Sequence, residues 1–147
     1  MDGLDVALNK ETYMSATMLQ FCTLVRQRSS EHKSAMELLS TRPTLVSPAF
    51  SILRQEVDSM VRVIFILSLT STAEREAYAS ATLSGSQWTA TTPNGKQRKI
   101  TDKEMVDLAQ TLHGWAQSVY KFGCAFVHLS NFHNHLSSNP FRGVPSK

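Results

Sequence analysis

The stretch Ser47-Pro48 followed by Phe50, Leu53, Val57, Met60/Val61, Ile64 and Leu67 limits what this chain can fold into more than any other. Apolar residues spaced three and four apart line one side of an α-helix. Serine before proline is a start signal: the serine oxygen caps the first amides, and proline at the first helical position loses no hydrogen bond. The run Val63 to Leu67 alone would fit a buried strand, but its continuity with the upstream pattern makes it helix. Arg54, Asp58 and Arg62 form an i, i+4, i+8 ladder beside the apolar face, which reads as intrahelical pairing.

Other segments follow the same period. From about Val6 to Arg28 the stripe Met14, Met18, Phe21, Val25 predicts a first helix that Ser29-Ser30 interrupts; Glu31 to Thr41 either continues it or forms a separate one. Arg42-Pro43 stops it, because the residue before proline is driven out of the α region. Ser71-x-x-Glu74 is a capping box for an alanine-rich helix that Gly85 closes, and Thr101-x-x-Glu104 is a second box. Helical periodicity then runs to about His128. Between Trp88 and Ile100 the threonines and Asn94-Gly95, a type I′ turn signal, predict a short β-hairpin or ordered loop outside the core. The expected fold is an all-α, up-and-down bundle of four to five helices with this insertion at about 88–100 before the last long helix. Residues 1–135 form one domain and 136–147, with Pro140, Gly143 and Pro145, a flexible tail.

With 147 residues the chain can bury a core without staples. Cys22 and Cys124, far apart in apolar helical contexts, read as reduced packing residues. Met1-Asp2-Gly3-Leu4-Asp5 lacks the basic and apolar regions of a signal peptide, and the longest apolar stretch, Val61 to Leu69, is short and carries Arg62 and Ser68. A soluble cytoplasmic protein without a membrane partner is expected. Charge is uneven: residues 1–93 hold eight Lys/Arg against nine Asp/Glu, and residues 94–147 hold seven against three. Lys96, Arg98, Lys99 and Lys103 concentrate the excess and are the candidate RNA-binding residues, with a solvated basic loop as the plainer reading.

On a 100°-per-residue wheel with Leu112 at zero, Met105, Leu108, Ala116, Val119, Gly123 and Phe126 form the core face of the last helix. Lys103, Gln110, Gln117, Lys121 and His128 cluster opposite, beside Gly114 and Ala125. This outer face has few charges, and its small residues admit a close neighbour. Gln110, Gly114, Gln117 and Lys121 are therefore the candidate interface of a homodimer, with plain solvent exposure as the alternative. Lys121 and His128, seven apart, share an azimuth to within about 20° and align a fixed charge with a potential general acid/base.

The segment Tyr120-Lys121-Phe122-Gly123-Cys124-Ala125-Phe126-Val127-His128-Leu129-Ser130, closing a helical domain of this length, resembles the HEPN superfamily and is similar to the end of the bundle in bacterial HEPN-like families. Members are helical and commonly dimeric, and many are metal-independent ribonucleases in toxin–antitoxin, abortive-infection and RNA-processing systems. Their signature is an arginine, usually followed by a polar residue, and a histidine four to six intervening residues on; here Lys121 is followed by six residues and His128. The resemblance implies catalytic roles for Lys121 and His128, RNA as substrate, an antitoxin-like protein partner and no cofactor. The chemistry would be attack of a 2′-hydroxyl on the adjacent phosphodiester. Lysine in place of arginine removes the bidentate fork, and Phe122 replaces the polar neighbour, so fold and activity are separate expectations.

Other constellations carry less. His128, His133 and His135 are about 140° and 200° apart on a helix and would converge on a metal only in a loop; no metal site is expected. Cys124 and His128 have the spacing of a thiolate–imidazole dyad, but a small residue packed beside a helix is commoner. Trp88 and Trp115 read as packing anchors rather than base-stacking platforms. No P-loop, nucleophile elbow or dinucleotide fingerprint occurs. A non-catalytic helical interaction module is the alternative function.

Overall fold

A computed structural model of the chain describes residues 14–114 and 116–127. The elements are α1 (Ala16–Ser40), α2 (Val46–Ser68), α3 (Thr72–Leu83), β1 (Thr89–Thr91), β2 (Gln97–Lys99), α4 (Asp102–His113) and α5 (Ala116–Val127). The fold is the expected all-α bundle with a hairpin insertion, built around α2, which packs against each of the other four helices.

Helix α1 begins at Ser15, whose hydroxyl accepts from the Met18 amide, and runs unbroken through Ser29-Ser30 to Ser40. The expected interruption is absent: the Ser29 hydroxyl donates to Glu56 of α2 instead of competing for the helix backbone. Phe21 is buried, and Met18, Cys22 and Val25 pack beside it. The helix stops just before Arg42-Pro43, as the proline demands.

Helix α2 starts earlier than the Ser47-Pro48 signal suggests. Its N-cap is Leu45, without a side-chain cap, so Pro48 falls at the third helical position, where its missing N–H still belongs to the set with no intrahelical acceptor. The deep residues are Val57, Val61 and Ile66, with Ser59 also buried, whereas Leu53 and Leu67 of the predicted face are exposed. A helix surrounded by four others buries more than one stripe, so the single-face pattern located its ends poorly.

Helix α3 carries half of the expected capping box: the Ser71 hydroxyl accepts from the Glu74 amide, and the Glu74 carboxylate makes no return bond. Its C-terminus is a Schellman arrangement, with Gly85 (φ +70) donating to the Thr82 carbonyl and Ser86 to Ala81. The hairpin pairs Thr89 with Lys99, Ala90 with Arg98 and Thr91 with Gln97. Its turn is not the expected type I′: among the described residues no non-glycine has positive φ, so Asn94 does not. Gly95 (φ +75) instead donates to the Thr92 carbonyl, closing a Thr92-Pro93-Asn94-Gly95 turn with proline at its second position. The segment is not wholly outside the core either. Trp88 and Ile100 at its two ends are buried and joined by an Ile100 N–H to Trp88 carbonyl bond, and only the middle is exposed. Trp88 is the packing anchor expected of it, tilted against Phe65 and Tyr78 with its indole N–H on the Thr82 hydroxyl.

The largest correction is at the last helix, which is two. Thr101 and Glu104 form the complete reciprocal capping box of α4, and that helix ends on Gly114 at φ +24. The Tyr120 hydroxyl donates to Asp102, eighteen residues back, and the Gln117 amide side chain to Asp107, ten back. In one continuous helix the first pair would be about 27 Å apart. The paired positions centre just before the Gly114 corner, at residues 111 and 112, so α5 folds back along α4. A wheel drawn through both helices therefore loses its meaning at residue 114: Met105, Ala116 and Gly123 are buried, but Leu112, its reference point, is 64% exposed. Phe126 lies outside the described side chains.

Candidate functional site

The four basic residues at the hairpin divide into two kinds. Strand geometry places Arg98 beside Ala90 on one face of the hairpin, and Lys99 beside Thr89 on the other. Arg98 reaches the first turn of α4 and pairs with Glu104 at 2.6 Å, while Lys103 pairs with Asp107 one turn along at 2.5 Å. Glu104 is held below its usual carboxylate range, first by the Thr101 amide and then by Arg98. Lys96, just after the turn, and Lys99, on β2, are exposed and have no carboxylate partner among the described residues. Of the four candidates, these two keep an uncompensated charge.

Lys121 lies on the exposed side of α5, also without a described acidic partner. His128, His133, His135 and the tail lie outside the described residues, as does Trp115, so the Lys121–His128 pairing stands on sequence spacing. Among the described residues no group of three or more His, Cys, Asp or Glu side chains is arranged to hold a metal ion. None of the described helices is long and apolar enough to cross a membrane.

Gln110, Gly114 and Gln117 come together, but by a route other than a shared helical face. The Gln110 amide donates to the Gly114 carbonyl at 2.7 Å, and its oxygen accepts from the Gln117 backbone N–H at 2.9 Å. One side chain thus satisfies an orphan carbonyl at the end of α4 and an orphan amide at the start of α5. Gly114 is required by its left-handed backbone, a reason distinct from close approach of a second chain. Close approach does occur at Gly123, against Arg54 of α2.

The Arg54–Asp58–Arg62 ladder is only half intrahelical. Arg62 binds Asp58 through two nitrogens at 3.2 and 3.3 Å, then extends to Asp102 at 3.4 Å. Arg54 turns away from Asp58 towards α5: its guanidinium lies 3.8 Å from the centre of the Tyr120 ring, its Nε donates to Cys124 Sγ at 3.4 Å, and its Nη2 is 3.9 Å from Asp102. Arg28 of α1 adds a longer contact to Asp58. Burial works against the Arg54 charge, but Cys124, Tyr120 and Asp58 outweigh it and raise its pKa. This Arg28–Asp58–Arg62–Asp102–Arg54 chain links α1, α2 and α4, and through Arg54's contacts with Tyr120 and Cys124 it holds α5, with Lys121 on its outer side. Spacing along the chain signalled only the Asp58–Arg62 step.

Cys124, expected as a reduced packing residue, is a free thiol like Cys22, half-buried and engaged by Arg54. A serine–glutamate–histidine group joins α1 to α2, with Ser29 Oγ and His32 Nδ1 each 2.6 Å from separate oxygens of Glu56. The serine donates to the carboxylate, not to the imidazole, so His32 does not activate it as a nucleophile. The arrangement is a helix-to-helix tie.

No family model, curated protein or solved structure matches the chain.

Proposed function

We propose that the chain is a HEPN-like helical protein that binds RNA, and that Lys121 and His128 of two associated copies make it a metal-independent endoribonuclease. The observation carrying this reading is the pair of lysines, Lys96 and Lys99, exposed on the hairpin with no acidic partner among the described residues, while neighbouring Arg98 and Lys103 are neutralised. Uncompensated surface cations attract phosphates and release counterions on binding. The exposed position of Lys121 on the last described helix is compatible with contact to a phosphodiester.

In the cleavage step His128 takes the proton of a 2′-hydroxyl, whose oxygen attacks the adjacent phosphorus. Lys121 stabilises the charge on the phosphate oxygens. The bond to the 5′-oxygen breaks, and the protonated imidazole supplies that leaving group with a proton, leaving a 2′,3′-cyclic phosphate and a 5′-hydroxyl. One such pair is sparse for this chemistry, and a two-fold axis would bring two together. A bacterial defence or toxin–antitoxin setting, with a protein antitoxin as partner, follows from the same resemblance.

The deciding experiment incubates the purified protein with mixed RNA in excess EDTA and analyses the ends. Cyclic phosphate ends that disappear with His128→Ala and persist or increase with Lys121→Arg support the reading. Cleavage unchanged by His128→Ala removes the catalytic assignment, and RNA binding insensitive to charge reversal at Lys96 and Lys99 removes the rest. A second reading is a non-catalytic helical interaction module, for which exposed apolar side chains such as Leu38, Leu67 and Leu112, each 64–73% exposed, would supply contacts. It predicts self-association or a protein complex in sedimentation with no RNA effect.

A further inference from the structure

A cleft of about 380 Å³ opens between one face of α3 and the hairpin. That volume falls within the roughly 300–1,000 Å³ of small-ligand pockets. Along α3 its wall is Glu74, Ala77, Tyr78 and Ala81, residues spaced three, one and three apart and so on one helical face. The two alanines leave the room, and the Tyr78 hydroxyl fixes the hairpin by donating to the Thr89 carbonyl at 3.2 Å. Opposite stand Thr89, Thr91 and Gln97 of the hairpin, with Gln87 at its base.

Three features distinguish this cleft from an ordinary crevice. First, the Glu74 carboxylate accepts no hydrogen bond and forms no ion pair with any described residue, so its oxygens are available. Second, two amides line the same space: Gln97 spends one N–H on the Thr91 hydroxyl at 2.9 Å and keeps its oxygen and other N–H, and the exposed Gln87 keeps its whole amide. Third, Lys99 lies directly opposite Thr89 in the strand register, and residues so paired project to one face with Cβ atoms about 5 Å apart. An unpaired cation thus stands on the same hairpin face as an open, solvent-exposed cleft whose walls offer acceptors, amides and small apolar side chains.

These groups match one nucleotide of single-stranded RNA. A flat base fits between the alanines and the hairpin, its edge meets the carboxylate and amides, and its phosphate meets Lys99. Single-stranded RNA is read in this way, through base edges splayed out of the stack. Among the four bases only guanine presents two adjacent N–H donors on its pairing edge, N1–H and N2–H, and an ionised carboxylate is an acceptor of two such donors. Its O6 is left for a glutamine N–H. We propose that the α3–hairpin cleft is a guanine-selective nucleotide site, with Glu74 reading the base edge and Lys99 holding the phosphate. This inference rests on the RNA-binding reading and adds base selectivity to it.

The test uses the full chain and uridine pentanucleotides whose central base is guanine, adenine, cytosine, uracil or hypoxanthine, with binding followed by fluorescence anisotropy. The guanine oligonucleotide should bind about tenfold to a hundredfold more tightly than the others, the discrimination expected of one bidentate contact. Hypoxanthine, which lacks the N2 amino group, should lose most of that preference without any change to the protein. Glu74→Gln should erase the preference while leaving the other oligonucleotides unaffected, and circular dichroism of the variant should match the parent. Lys99→Ala should weaken all five about equally and reduce the salt slope by about one ion. Equal binding of all five, equal binding of guanine and hypoxanthine, or an undiminished guanine preference in Glu74→Gln overturns the guanine site and leaves RNA binding standing. No binding of any oligonucleotide overturns both.

Discussion

Gly123→Ala tests the seam between α2 and α5. A Cβ at residue 123 would lie 2.4 Å from Arg54 Cβ, 2.8 Å from Cδ and 2.9 Å from Cγ. Carbon atoms settle at about 3.5–4.0 Å, so the two helices must part by about 1 Å. Rotation of the arginine gives no escape, because its Cβ is fixed to the backbone. Parting also pulls the guanidinium from the Tyr120 ring, Cys124 and Asp102. Overpacking of this kind costs about 1–3 kcal/mol. Alanine in place of a helical glycine returns about 1 kcal/mol. The net expectation is a loss of about 1 kcal/mol, or a Tm lowered by about 3 °C for a chain of this size. Differential scanning calorimetry with urea unfolding measures it, and Ser118→Ala, at an exposed position on the same helix, reports the propensity gain alone. Adding Gly123→Ala to Arg54→Ala should leave most of the penalty, since alanine retains the Cβ. A Tm that rises in Gly123→Ala as it does in Ser118→Ala would refute the close-approach argument.

Three other perturbations address separate parts of the fold. Burial opposes the Glu56 charge, but Ser29, His32 and Arg28 outweigh it and lower the folded pKa, so its stabilisation is complete above the unfolded value of about 4.3 and is lost as pH falls through the folded one. Glu56→Gln should therefore cost about 1 kcal/mol at pH 7, discounted for its part exposure, and the difference from the parent should vanish on acid titration of urea midpoints. Thr101→Ala removes the cap of α4 and should cost about 1 kcal/mol, with hydrogen exchange accelerating first at residues 102–104. Gly114→Ala places a side chain at φ +24 and should destabilise by about 1 kcal/mol or more; a variant as stable as the parent would show that the corner does not need glycine.

The amino-acid sequence by itself determined the features whose causes are local. Thr101 and Glu104 form the reciprocal box their spacing implies, Gly85 ends α3 through its own backbone freedom, and the threonine-rich stretch around Pro93-Asn94-Gly95 makes a hairpin. Each needs only a few neighbouring residues, so periodicity and turn chemistry find it. The RNA-binding candidates were legible as a cluster, but which of them stay charged was not: Arg98 and Lys103 are neutralised by Glu104 and Asp107, and alternation along β2 sends Lys99 to the other face. Tertiary structure alone decided the course of the described chain from residue 114 to 127. A 100° period passes through residue 114 without a mark, because the α4–α5 corner exists only once α5 gains more by lying on α2 and α4 than by extending α4. Gln110 and Gln117, read as an outer face, then become the staple of that corner, and Arg54, read as an intrahelical partner of Asp58, becomes the clamp on Tyr120 and Cys124. Contacts between residues ten to seventy apart carry no signature in local spacing, since their energy appears only when the packed helices bring the groups within reach.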